Sequence, residues 1–245
     1  MSRDKRKAVS RAQEQKAVSS KSEVSAFLQQ VSRLPAVNAE RGRLLFALDA
    51  TASRESAWDS AMGLQADMFV AAHSAGSLEI QLAYFRGFAE FYISNWCRSS
   101  DAMLKLMTGI QCRAGTTQIE RVLRHTLEEH RKKSLHCLVY IGDAVEENQP
   151  VLRQLAGQCG LLNIPIFLFQ DGHDPDAKQL YQSLAKLSKG AYFQFDSASA
   201  KHLRELLQAV AVYATGGWPA LESYADNGGG AAVLKLTQQM KGKSS

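Results

Sequence analysis

Oxygen donors occur at three points of the chain, at two of which apolar runs give way to loops. The run Leu44 to Leu48 stops at Asp49, and hydroxyls follow at Thr51 and Ser53 in the segment D-A-T-A-S. A second run, Leu135 to Ile141, stops at Gly142-Asp143, and between the two Gly115-Thr116-Thr117 precedes a long helical pattern. A carboxylate this close to a buried strand costs roughly several kcal/mol unless something pairs with it. Two carboxylates and three or four hydroxyls, without nitrogen or sulfur donors, form a hard ligand set. Such a set suits Mg²⁺ or Mn²⁺, which take about six oxygens and commonly retain water or an outside ligand.

Positioning these groups requires a scaffold, and the pattern supplies one. From Arg43 onward strand-like and helix-like segments alternate. Leu44–Leu48 is followed by a helix from Arg54 to His73, then by two strands, Leu78–Phe85 and Phe88–Ile93. Only Arg86-Gly87 separates those strands, which makes them an antiparallel hairpin. Helices are expected at Asp101–Met107, from Gln118 to Lys132, around Pro150–Cys159, at Ala177–Leu187 and from Ala198 to Tyr213. The strands between them are Leu135–Ile141, Ile164–Phe169 and Ala191–Phe195, and Gly216-Gly217 stops the last helix. This alternation predicts a doubly wound, mostly parallel six-stranded sheet with one antiparallel edge strand and helices on both faces. In such sheets ligands gather beyond the carboxyl ends of the central strands, where Asp49 and Asp143 lie.

The 245 residues suffice for a core without disulfide or zinc staples. The four cysteines, Cys97, Cys112, Cys137 and Cys159, show no paired or zinc-like spacing and are expected as free thiols in a reducing cytoplasm. The N-terminus has no apolar signal region, and no stretch approaches the roughly 20 apolar residues of a membrane span. Of 29 bases and 24 acids, residues 1–22 hold seven and two, so the net charge of +5 belongs to that end. The remainder is neutral, which gives no support to a nucleic-acid-binding face. The organisation expected is a basic disordered tail (1–21), an amphipathic helix (22–35) built on Val24, Phe27, Leu28, Val31 and Leu34, and a domain at 40–216. A flexible extension at 217–245, with one short helix beyond Asn227-Gly228-Gly229-Gly230, completes it.

The three donor segments together resemble the von Willebrand factor A-type domain and its metal-ion-dependent adhesion site. That family carries D-x-S-x-S after its first strand, a Thr in a later loop and an Asp after its fourth strand. Asp49, Thr51 and Ser53 match the first part, with Thr in place of the first Ser. In G-T-T-Q-I-E-R-V-L the family register selects Thr117, with Thr116 as the alternative, and Asp143 matches the last position. The resemblance spans about residues 40 to 216. It implies a Rossmann-like fold and a non-enzymatic domain whose Mg²⁺ or Mn²⁺, held by Asp49, Thr51, Ser53, Thr117 and Asp143, accepts an acidic residue of a partner protein. By family analogy the partner belongs to a multi-subunit assembly or is an ATPase.

D-A-T-A-S followed by G-D-A-V-E-E also looks like the nucleophile and metal motifs of haloacid dehalogenase phosphohydrolases, with Asp49 attacking phosphorus. Against this, Thr51 stands where hydrolytic members place a second Asp, although a subset carries D-x-T-x-T. Lys132 and Lys133 lie too close to Asp143 to supply that family's lysine, and two strand–helix units follow Asp143. A metal-free interaction scaffold is a third alternative. His125 and His130, five residues apart, diverge on a helix and are expected on a solvated face. The acids at Asp171–Asp176 suit a polar turn and helix cap, and Glu146 and Glu147 a helix N-terminus or the rim of the metal site. No phosphate-binding glycine loop occurs. Trp58, Trp96 and the aromatics of the hairpin have core-like spacing.

Overall fold

The computed structural model describes residues 42–54, 78–195, 200–227 and 230–241. The tail, the helix expected at 22–35, Trp58 and most of the helix expected after Asp49 lie outside the described residues. Strand β1 (Gly42–Asp49) is buried along its whole length. A 3-10 turn follows it at Ala52–Arg54, and then β2 (Leu78–Arg86) and β3 (Glu90–Ile93) form the hairpin. The remaining elements are α1 (Ser100–Thr108), α2 (Ile119–Lys132), β4 (Cys137–Gly142), α3 (Gln149–Leu161), β5 (Ile166–Asp171), α4 (Pro175–Leu187), β6 (Ala191–Phe195), α5 (Ala200–Asp226) and α6 (Ala231–Lys241).

The six strands lie in the order β3-β2-β1-β4-β5-β6, all parallel except for β3 against β2. This is the doubly wound mixed sheet expected from the alternation of elements. Successive residues of a strand face opposite ways, so β1 serves two cores. Leu44, Phe46 and Leu48 pack with Met103 and Met107 of α1, Leu207 and Val210 of α5, and Leu236 of α6. Leu45 and Ala47 pack with Val122 of α2, Leu152 of α3 and Leu180 of α4. Asp49 shares the parity of Leu45 and Ala47 and therefore belongs to the α2–α4 side. Local chemistry starts the helices: Ser99, Asn148 and Asp174 cap α1, α3 and α4, and proline occupies the first turn of the last two.

Two expectations are corrected here. Gly217 does interrupt α5, with φ of 65°, but the chain re-enters helix at once, with Pro219 in the new first turn. Beyond it Leu221, Ala225, Val233, Leu236 and Met240 are buried in the α1/α5/α6 core, so two helical segments stand where an extension with one short helix is expected. The hairpin aromatics, in turn, do not all enter the core. Phe88 is 82% exposed, and Tyr92 and Ile93 are partly exposed on the edge strand. Trp96 and Phe91 do pack against the α2–α4 core.

Polar groups also hold the α2 side. His125 is buried instead of solvated, its Nε2 2.8 Å from Gln81 Oε1, while Gln81 Nε2 donates to the Ser94 carbonyl. His130 is separate, accepting the Leu135 N–H through Nδ1. Burial holds the His125 imidazole below its ordinary pKa, against the opposing pull of Glu129. The unfolded chain therefore binds a proton at a higher pH than the fold does. Stability from this site is complete above the unfolded value, near 6.5, and is lost as pH falls below it. Urea midpoints at pH 7.5 and 5.5 should fall further for the wild type than for His125→Asn; equal losses would remove His125 as the cause.

Candidate functional site

Beyond the carboxyl ends of β1 and β4, three loops meet. The two strands are adjacent and parallel, pairing as far as Leu48 with Ile141, so Asp49 and Asp143 emerge one and two residues past that pair. Asp49 is fully buried, and its Oδ1 accepts the Thr51 N–H at 2.8 Å. This turn brings the Thr51 and Ser53 hydroxyls to 3.1 Å of each other. Asp143 Oδ1 is buried without a hydrogen-bond partner among the described residues. Beneath the strand ends lies Tyr140, whose hydroxyl is pushed well above its ordinary range by burial, then by Tyr181 and the Asp49 charge. It stays a neutral phenol at physiological pH. A side chain at Gly142 would begin 2.5 Å from the Tyr140 hydroxyl, so glycine before Asp143 follows from packing.

The third loop is fixed to both of its neighbours. Arg113 N–H donates to the Ala50 carbonyl, and Thr51 and Arg113 form a parallel bridge. Thr116 N–H donates to the Gly87 carbonyl, and a Cβ on Gly115 would lie 2.0 Å from that same oxygen, so only glycine permits the approach. Thr117 and Thr116 are separated by burial: Thr117 is 5% exposed, whereas Thr116 faces solvent. The Thr117 hydroxyl accepts the Glu146 N–H at 3.1 Å.

Glu146 and Glu147 play a part that the sequence does not disclose. They do not serve their own helix, α3, but the N-terminus of α2. Glu146 Oε2 accepts the Thr117 N–H at 2.9 Å, and Glu147 accepts those of Ile119 and Glu120 at 2.6 and 2.8 Å. Gln118, at the N-cap, supplies no side-chain bond of its own. Burial raises the Glu147 carboxyl pKa, and the two amides pull against it. These acids tie the Thr117 loop to the Asp143 loop. Nothing in a G-D-A-V-E-E string announces a cap donated across the sheet end.

The other motifs resolve as structure. Asp174 caps α4 through the Ala177 N–H, and its carbonyl accepts from Gln170. Among the described residues no group of three or more His, Cys, Asp or Glu side chains is spaced to hold a metal, so a cation here depends on the hydroxyls. None of the described helices is long and apolar enough to cross a membrane.

No family model matches the sequence, and no curated protein does either. Solved structures match over the sheet and its helices. The SpRpn10 VWA domain superposes with a TM-score of 0.57 at 11% identity, over 68% of this chain and 95% of that one. The vWF domain of the type V pili tip protein Mfa5 from Porphyromonas gingivalis gives 0.53 at 9%, covering 69% and 94%. An aerotolerance-related membrane protein from Bacteroides fragilis NCTC 9343, with multiple mutations to serines, gives 0.53 at 13%, covering 67% and 98%. The chain thus has the von Willebrand factor A-type α/β fold.

Proposed function

We propose that this domain binds another protein and does so through one Mg²⁺ or Mn²⁺ held by oxygens of Asp49, Thr51, Ser53, Thr117 and Asp143. The observation that carries the reading is the pair of carboxylates at neighbouring strand ends, one fully buried and the other with a buried, unbonded oxygen. The donor set fits a hard divalent ion, whose charge two carboxylates about neutralise. Bound there, the ion supplies a positive centre with coordination positions to spare for a carboxylate from outside. The chain's own groups orient the donors: Thr51 N–H fixes Asp49, and Glu146 and Glu147 fix Thr117. The partner is a protein presenting Asp or Glu, in a multi-subunit assembly or an ATPase, on the analogy of the fold. The setting proposed is cytoplasmic, where buried thiols such as Cys137 and Cys159 stay reduced.

Two observations weigh against the phosphohydrolase alternative. Glu146 and Glu147 are engaged by α2 amides. Lys132 bonds Glu129 and Lys133 stands 3.9 Å from Glu79, at the opposite end of the sheet from Asp49. Calorimetric titration with Mg²⁺ and Mn²⁺ tests the reading. Wild type should bind one ion and Asp49→Ala none, with generic phosphomonoesters left unhydrolysed. Identical isotherms for the two proteins would refute the site.

A further inference from the structure

The turn joining β2 to β3 stands beside the candidate metal loops. Asp49 pairs in register with Phe85, and the Gly87 carbonyl receives the Thr116 N–H. The turn is pinned from several sides. Arg121 Nη1 donates to the Ala89 carbonyl at 3.0 Å and Gln118 Nε2 to the Glu90 carbonyl at 3.3 Å. Arg86 reaches the Gln111 carbonyl at 2.9 Å. In the middle of this fixed backbone Phe88 projects with 82% of its surface exposed. Three arginines engage the turn and its flanks: Arg121 through the Ala89 carbonyl, and Arg86 and Arg113 through the Glu90 carboxylate they share, at 2.7 and 3.0 Å. An exposed aromatic on a pinned backbone, with arginines in the same turn, has the composition of an interface anchor, because its two χ angles cost little to order.

We propose that Phe88 is the specificity anchor of the recognition face, taking an apolar side chain that lies close in sequence to the partner's acidic residue. This rests on reading the site as a receptor for a partner carboxylate. The excess of positive charge around the tip selects an acidic segment over a basic one. The partner is accordingly a protein segment combining Asp or Glu with a nearby aliphatic or aromatic residue.

The test uses the full chain, ¹⁵N-labelled, with Mg²⁺. The probes are end-blocked peptides in which a single Glu is followed, at each spacing from one to four residues, by Leu or by Gly in an otherwise Gly/Ser sequence. At the best spacing the Leu peptide should bind wild type at least about fivefold tighter than its Gly counterpart. Phe88→Ser should erase that advantage while leaving the Mg²⁺ isotherm unchanged. An advantage that survives in Phe88→Ser, or none at any spacing in a wild type that binds Mg²⁺, overturns the anchor and leaves the metal reading standing. A wild type that takes no Mg²⁺ yet keeps a Phe88-dependent preference defeats the metal reading and supports the anchor. A dimer that Phe88→Ser makes monomeric, with no peptide preference, assigns the tip to a second copy and overturns the proposal.

Discussion

Glu129→Ala should lower the free energy of unfolding by about 3–5 kcal/mol, because it strands a buried charge. Arg43 is 4% exposed on β1, its guanidinium 3.8 Å over the Trp96 ring. Its Nη1 donates to the Lys133 carbonyl at 2.6 Å and its Nη2 to Glu129 at 3.3 Å. Glu129 also accepts from Trp96 at 3.0 Å and from Lys132 at 2.7 Å. Burial would raise the Glu129 carboxyl pKa, but Lys132 and Trp96 hold it below the usual range. The stability it brings is therefore present above its unfolded value and lost only as pH falls through the lower, folded one. Without Glu129, the carboxylate nearest Arg43 is Glu79, 3.9 Å from Nε. Arg43→Met combined with Glu129→Leu should cost much less than the sum of the single changes. Urea unfolding of the four proteins checks this; simple additivity would mean that the pair is not coupled.

Saturating Mg²⁺ should raise the melting temperature of the wild type and not that of Asp49→Asn. Asparagine keeps an acceptor for the Thr51 N–H, so the turn survives while the charge is lost. At a free ion concentration of about 100 times Kd, linkage adds roughly 2.7 kcal/mol. For a domain of this size that corresponds to about 5–10 °C. Differential scanning fluorimetry with Mg²⁺ and with EDTA measures it. A shift of equal size in both proteins would place the ion elsewhere.

Much of this arrangement is written in the sequence. Asp49 and Asp143 are visible because each ends an apolar run, and a parallel sheet turns such ends into neighbours. The break at Gly217 is visible too, but its sequel is overridden by packing. Leu221 and Ala225, then Val233, Leu236 and Met240, carry helical spacing that the run of glycines between them obscures. What stays hidden is whatever depends on a distant partner. Glu147 reads as a local acid, and only the meeting of two loops makes it the cap of α2. His125 looks solvated by its charged neighbours until Gln81 of β2 arrives beside it. Phe88 shares the alternation of its strand, yet the tightness of the turn sends it outward.

The Gln239 side chain pairs with the backbone of Tyr192 at both its N–H (3.0 Å) and its carbonyl (3.2 Å), filling on β6 the place that another strand would take. At the far side of the sheet Arg121 and Gln118 occupy carbonyls of the β3 hairpin in the same manner. At both flanks side chains thus occupy some of the backbone groups that a further strand would seek. Fibre-like stacking of copies would first have to strip these groups away. Recognition as proposed would use the strand-end loops of Asp49, Thr117 and Asp143 instead of these flanks.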